Sequence, residues 1–270
     1  MQKRASWLMI ALGVFLALAM VPASFAQSGT AKVRVVHASP DAPAVDIYLD
    51  GQKVDALTNV PFFTASGYLD IPAGERRFQV VPTGGTPDQA VIDATATVEA
   101  GKAYTVAATG KVAEIKPTIL ADNLAAPAAG KAHVRVIHFS PDTPAVDVKV
   151  RGGPTLFPGL AFPTATDMTP VDAASYDLIV TPAGSDTVAL DLGPTNLEAG
   201  KIYDVFAVGL SAGSPALKVE VATPAPEAAP AAPAPAQLPR TSGEASLVAL
   251  FGLLAALFIT GGLMLRRRAR

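Results

Sequence analysis

Cysteine is absent from all 270 residues. That excludes a disulfide framework, a Cys-ligated zinc or iron–sulfur site, and anchoring through a lipidated cysteine. Any exported domain in this chain must therefore rest on its hydrophobic core. Tryptophan is limited to Trp7, inside the N-terminal apolar run, so any aromatic platform for a sugar elsewhere in the chain would have to come from tyrosine or phenylalanine. Acidic residues are missing from both ends. Lys3, Arg4, Arg266, Arg267, Arg268 and Arg270 are the only charges outside 27–244, which leaves 15 basic against 23 acidic residues there, a net of −8. An acidic body of this kind argues against nucleic acid as a partner and against electrostatic docking on anionic lipid. No G-x-S-x-G nucleophile elbow and no P-loop occurs, and nothing in the sequence calls for a cofactor.

The ends carry targeting patterns. Lys3 and Arg4, the apolar run Trp7 to Val21, Pro22, and small residues at Ser24 and Ala26 read as a signal peptide over 1–26, cleaved before Gln27. Ala245 to Leu265 is a 21-residue run without a charge. At 1.5 Å per residue it reaches roughly 31 Å, enough for one membrane-spanning helix. The arginines of the 266–270 tail then mark the cytoplasmic side. The expected location is the cell membrane, single-pass, with the N-terminal part outside.

Between these ends the chain repeats itself. VRVVHASPDAPAVDI at 33–47 and VRVIHFSPDTPAVDV at 134–148 agree at 11 of 15 positions. Glu99 to Tyr104 and Glu198 to Tyr203 match as well. Matches at both ends of a long unit indicate duplicated domains rather than a short solenoid repeat. Val33, Val35 and His37 alternate with Arg34 and Val36, as in a half-buried strand. Ser39 to Pro43 is a turn, and Asp50-Gly51 is a hairpin signal. Apolar runs at Phe78–Val81, Val91–Val98, Tyr104–Ala108 and Val112–Ile115 are spaced as in a sandwich. The expected fold is all-β: two tandem antiparallel, immunoglobulin-like β-sandwich domains over 31–121 and 131–221. Residues 117–130 are expected to act as the connector. From 222 to 244 the chain is rich in Ala and Pro, an extended stalk. At about 3.1 Å per residue it would lift the domains on the order of 50 Å.

The twice-occurring V-R-V-x-H-x-S-P-D-x-P-A-V-D resembles the domain of unknown function 4397 family, over about 31–221. That resemblance implies exported bacterial β-domains, frequently in tandem and surface-anchored. It brings no catalytic residues with it. Leu238, Pro239, Arg240 and Thr241, followed by an apolar span and arginines, resemble the L-P-x-T-G sorting signal of sortase substrates. Here Ser242 stands between Thr241 and Gly243. The resemblance implies sortase as a partner, with cleavage after Thr241 and attachment to the cell wall.

Three residue pairs recur in register: His37 with His138, Asp41 with Asp142, and Asp46 with Asp147. They could hold a metal or run acid–base chemistry. They could equally be structural, with His37 bonded to a turn carbonyl or Asp41, and Asp41 bonding its own turn. A His–Asp pair lacks the third ligand of a zinc site. A calcium set built on Asp41, Asp46 and Asp50 fails in the second repeat, where Arg151 replaces Asp50. Tyr104 and Tyr203 read as corner residues, Tyr48 as outward-facing, and Phe62 with Phe63 as a cap on the sandwich or a contact for a partner. The functional expectation is a non-enzymatic surface protein acting in adhesion, envelope organisation or ligand binding. The rival is a module that binds a carbohydrate or cell-wall polymer and assists a surface enzyme.

Overall fold

The computed structural model describes residues 29–227. The expected signal peptide, the apolar run 245–265, the sorting-type residues 238–241 and most of the stalk lie outside the described residues. Among the described residues no helix is long and apolar enough to cross a membrane.

The described chain is all-β and falls into two similar units. The first holds β1 (Thr30–His37), β2 (Val45–Leu49), β3 (Gln52–Lys53), β4 (Thr64–Ala65), β5 (Leu69–Pro72), β6 (Gly74–Pro82), β7 (Ile92–Val98), β8 (Ala103–Thr109) and β9 (Lys116–Asp122). The second holds β10 (Lys131–His138), β11 (Val146–Val150), β12 (Thr155–Leu160), β13 (Thr164–Ala165), β14 (Thr169–Asp172), β15 (Ser175–Pro182), β16 (Leu190–Asn196), β17 (Ile202–Val208) and β18 (Lys218–Ala222). In the first unit one sheet runs β4-β1-β8-β9, with β5 also on β1, and the other runs β3-β2-β6-β7. The second unit repeats this as β13-β10-β17-β18, with β14 on β10, and β12-β11-β15-β16.

Three expectations change. The sandwiches are not wholly antiparallel, because β1 runs parallel to β8 and β10 parallel to β17. Parallel neighbours need a long crossover, and here the whole second sheet of each unit is that crossover. Nor is 117–130 a plain connector. Lys116–Asp122 forms β9, paired with β8 along its full length. Only 123–130 is left between the units. Val112–Ile115 is not a strand either. Val112–Glu114 is a 3-10 turn, and the Val112 amide donates to the Asp41 carboxylate.

The hairpin signal at Asp50-Gly51 has a backbone cause. Both residues take positive φ, 51° and 79°, as a turn twisting with its strands requires. Each unit has an interior of its own. Val35, Val45, Ile47 and Val80 lie in one cluster of the first unit, and Val134, Val146, Val148 and Phe157 in the second. A further cluster belongs to both. Val36, Ala38 and Ala107 of the first unit pack on Ile137, Phe139, Phe206 and Val208 of the second.

That shared cluster follows from strand alternation. On β1, Val33 and Val35 point into the first unit's own interior, while Val36 lies in the shared cluster. On β10, Val134 and Val136 point inward and Ile137 to the shared side. The expected half-buried strand is thus buried on both faces, because the other unit covers the face that would otherwise meet water.

Candidate functional site

The repeated His and Asp residues are occupied in fixing turns. His37 Nε2 lies 3.0 Å from the Pro43 carbonyl oxygen, and His138 Nε2 lies 3.2 Å from that of Pro144. Burial pushes both imidazoles down from their ordinary value, against the carbonyl bonds, which push up. Asp41 does not bond its own turn. Its Oδ1 accepts from the Val112 amide at 2.8 Å, and Asp142 Oδ1 accepts from the Ser211 amide at 2.8 Å. Each carboxylate therefore ties the β1–β2 turn, or its counterpart, to the loop between the last two strands of its unit.

Asp46 accepts from the Asn59 amide at 2.8 Å, the Gly84 amide at 3.2 Å and Lys53 Nζ at 2.6 Å. Lys53 first, then the two amides, hold its carboxyl below the usual carboxylate value. Asp147 accepts from the amides of Gly159 at 2.7 Å and Gly184 at 3.0 Å, which lower it likewise. Among the described residues no group of three or more His, Asp or Glu converges on a point where a metal could sit. Three tyrosines are tied down as well. Tyr104 and Tyr203 accept from the amides of Glu99 and Glu198, as corner residues do. Tyr48 does not stand free. It is buried and donates to the Gly85 carbonyl at 3.3 Å.

The ionisable groups that do converge were not singled out by the motif reading. Arg34, Asp122, Arg135 and Asp204 meet between the units, all nearly inaccessible to solvent. Arg34 sits opposite Thr105, and Arg135 opposite Asp204, at equivalent positions of the two parallel strand pairs. Each Nε donates to that neighbour, to Thr105 Oγ1 at 2.7 Å and to Asp204 Oδ1 at 2.8 Å. Each guanidinium then reaches across. Arg34 Nη2 donates to Asp204 Oδ2. Arg135 Nη1 lies 2.8 Å from Asp122 Oδ1, close in distance but off the hydrogen-bonding direction, which leaves Oδ1 without a formal hydrogen bond. Thr105 Oγ1 and Tyr68 Oη complete the shell of Asp122 Oδ2, at 2.6 and 2.7 Å. The Arg34 guanidinium also lies over the rings of Tyr68 and Phe206, 5.2 and 5.4 Å from their centroids.

Two cations and two anions cancel, and their pairs cross between the units, so the cluster latches one unit to the other. Burial alone would lower the Arg135 guanidinium, but Asp204 and Asp122 outweigh it and raise the group. Burial raises the Tyr68 phenol.

Two clefts open where the units meet, the first of them beside the latch. One cleft, of about 550 Å³, is walled by Lys32, Ser66, Tyr68 and the segment 223–227. The other, of about 480 Å³, is walled by Thr109, Lys111, Glu114 and Lys116 of the first unit and by Pro141 and Phe162 of the second. Phe162 stands edge-on to His138, with ring centroids 6.4 Å apart. Its counterpart Phe62 stands edge-on to His37 and has Lys218 of the other unit 6.0 Å from its ring centroid. Phe63 lies 5.4 Å from Phe206. The Phe62–Phe63 pair thus meets a partner, and the partner is the second unit of the same chain.

No curated protein matches this chain. Among solved structures it resembles the C-terminal domain of AlgF from P. aeruginosa, at 21% identity over 35% of this chain and 98% of that one, with a TM-score of 0.27. It also resembles the Bacillus anthracis TIE protein, at 11% identity over 68% of this chain and 34% of that one, with a TM-score of 0.22. The first unit and the opening two strands of the second, residues 31–149, match the family described as Domain of unknown function (DUF4397).

Proposed function

We propose that this is a non-enzymatic protein of the bacterial cell surface whose two β-sandwiches act as one body that binds an envelope polymer. The observation that carries the reading is the cleft of about 480 Å³ to which both units contribute. Its wall combines the Phe162 ring with Lys111, Lys116 and Glu114. That wall carries a net positive charge in a segment that is otherwise acidic. Such a surface favours a glycan bearing carboxylate or phosphate groups, which the lysines would meet as the aromatic ring meets an apolar sugar face. Adhesion and envelope organisation are the roles such binding would serve. The test is an array of glycans and envelope polymers probed with residues 27–229. Binding confined to anionic polymers, weakened at least tenfold by K111A/K116A and by added salt, is the expected result. Failure to bind any polymer would remove the reading.

The tether belongs to the same proposal. The apolar run 245–265 would hold the chain in the membrane, and Leu238, Pro239, Arg240 and Thr241 would offer it to a sortase. Mass spectrometry of the native C-terminus separates the two anchors. A chain ending at Thr241 on a wall peptide indicates sortase transfer, and one ending at Arg270 indicates retention in the membrane.

A further inference from the structure

The two units share a fold but not an interior. Between the sheets of the second unit lies a cavity of about 270 Å³ bordered by Leu178 and Val205, while the space bordered by their counterparts Phe78 and Val106 in the first unit is about 10 Å³. The sequence accounts for the difference. Phe78, opposite Leu49 on β2, is replaced by Leu178, opposite Val150 on β11. Ile71, opposite Ala31, is replaced by Val171, opposite Ala132. Ala94, which faces Phe78, is replaced by Gly193, and β16 bulges at that point. Each of these three changes removes side-chain volume. Phe78 and Val106 are buried, but their counterparts Leu178 and Val205 are only partly so.

Water would be a poor occupant. No charged residue lines the space, and the polar side-chain atoms on its wall belong to Thr195 and Tyr203. Thr195 Oγ1 donates to the Gly193 carbonyl and Tyr203 Oη accepts from the Glu198 amide, so only the Tyr203 proton and hydroxyl lone pairs are left for water, too few partners for a space of this size. A buried water needs two to four polar partners, and an apolar cavity of about 150 Å³ stays dry and takes up benzene. The space here is larger than that, and it opens to solvent beside β18, where Val221 is 51% exposed.

We infer that the second unit binds the hydrocarbon chain of a single-chain amphiphile, with the chain between the sheets and its polar end left in water at the β18 edge. The uncharged wall has nothing with which to hold a headgroup. The cavity exceeds what a single ring fills, and its open side lets the polar end stay solvated. The first unit, filled by Phe78 and Ile71, does not bind. This site is separate from the polymer cleft, so either can fail without the other.

The experiment uses residues 27–229 without detergent, since both units and their junction lie within that span. Titration with decanoate and with decanol, followed by calorimetry, is expected to show one saturable site for each. L178F/V171I, which restores the side chains of the first unit, is expected to weaken both by at least tenfold while K111A/K116A leaves them unchanged. A folded protein that takes up neither probe overturns the proposal, as does undiminished binding by L178F/V171I. Methyl NMR of the unmutated protein gives a second reading that needs no variant. Shifts on adding decanoate that centre on Val171, Leu178 and Val205 support the site, and shifts elsewhere or none overturn it.

Discussion

Arg34 and Arg135 sit in the middle of apolar strands, where a long cation is costly unless it is met on every side. Each is met by one carboxylate of the other unit, so removing a partner leaves a buried, uncompensated charge. D204A or D122A is therefore expected to cost about 3–5 kcal/mol in urea unfolding, whereas replacing all four ions together with apolar residues is expected to cost far less. The histidines set the pH dependence. Their folded values lie below the ordinary 6.5, so the unfolded chain binds protons first. Stability is then full above pH 6.5 and falls as pH drops below it. Asp46, Asp142 and Asp147 are lowered too, so their contribution is present above about pH 3.8 and is lost only in stronger acid. H37Q/H138Q should flatten the upper part of this profile, measured as melting temperature against pH, and leave the acid limb in place. At this scale the sequence was partly legible. The repeated His and Asp are visible in the sequence, and a turn-fixing role for them is one of the readings their positions allow. The latch was missed although its signal, an arginine at the same point of both V-R-V strands, was in plain view. Its carboxylates come from positions that do not repeat.

At the scale of the element, what depends on neighbours in sequence could be read and what depends on distant ones could not. The Asp50-Gly51 turn and the strands β6, β7 and β8 follow from local signals. The parallel pairing of β1 with β8 does not, because hairpin signals report only adjacent strands. The polarity of β1 misled for the same reason: an Arg between valines looks like a solvent-facing position until a second protein surface supplies its anion. Backbone sterics give a sharper test. Gly209, just beyond β17, has φ of 89°, and a Cβ there would run into the Ala216 carbonyl oxygen. G209A is expected to destabilise the second unit by about 1–3 kcal/mol. The effect should appear as accelerated hydrogen exchange in β17 and β18.

For the whole molecule, the shared cluster and the latch make the two units one cooperative body. Residues 27–229 should unfold in a single calorimetric transition. Two resolved transitions would mean that the junction contributes little. The duplication was legible, because a copied sequence announces itself. The joining was not, because no residue marks a surface as facing its own copy.

The latch also has a direction in time. A ribosome makes Arg34 long before Asp204, 170 residues later. When the first unit is complete at Asp122, its outer sheet still presents Val36, Ala107 and the Arg34 guanidinium, which has Asp122 3.9 Å away but still lacks Asp204. Until the second unit arrives, that face is open to any other copy of the chain. Only eight residues separate β9 from β10, and so short a tether keeps the rightful partner at high effective concentration. Lengthening that link should trade monomers for exchanged dimers, in which the first unit of one chain closes on the second unit of another.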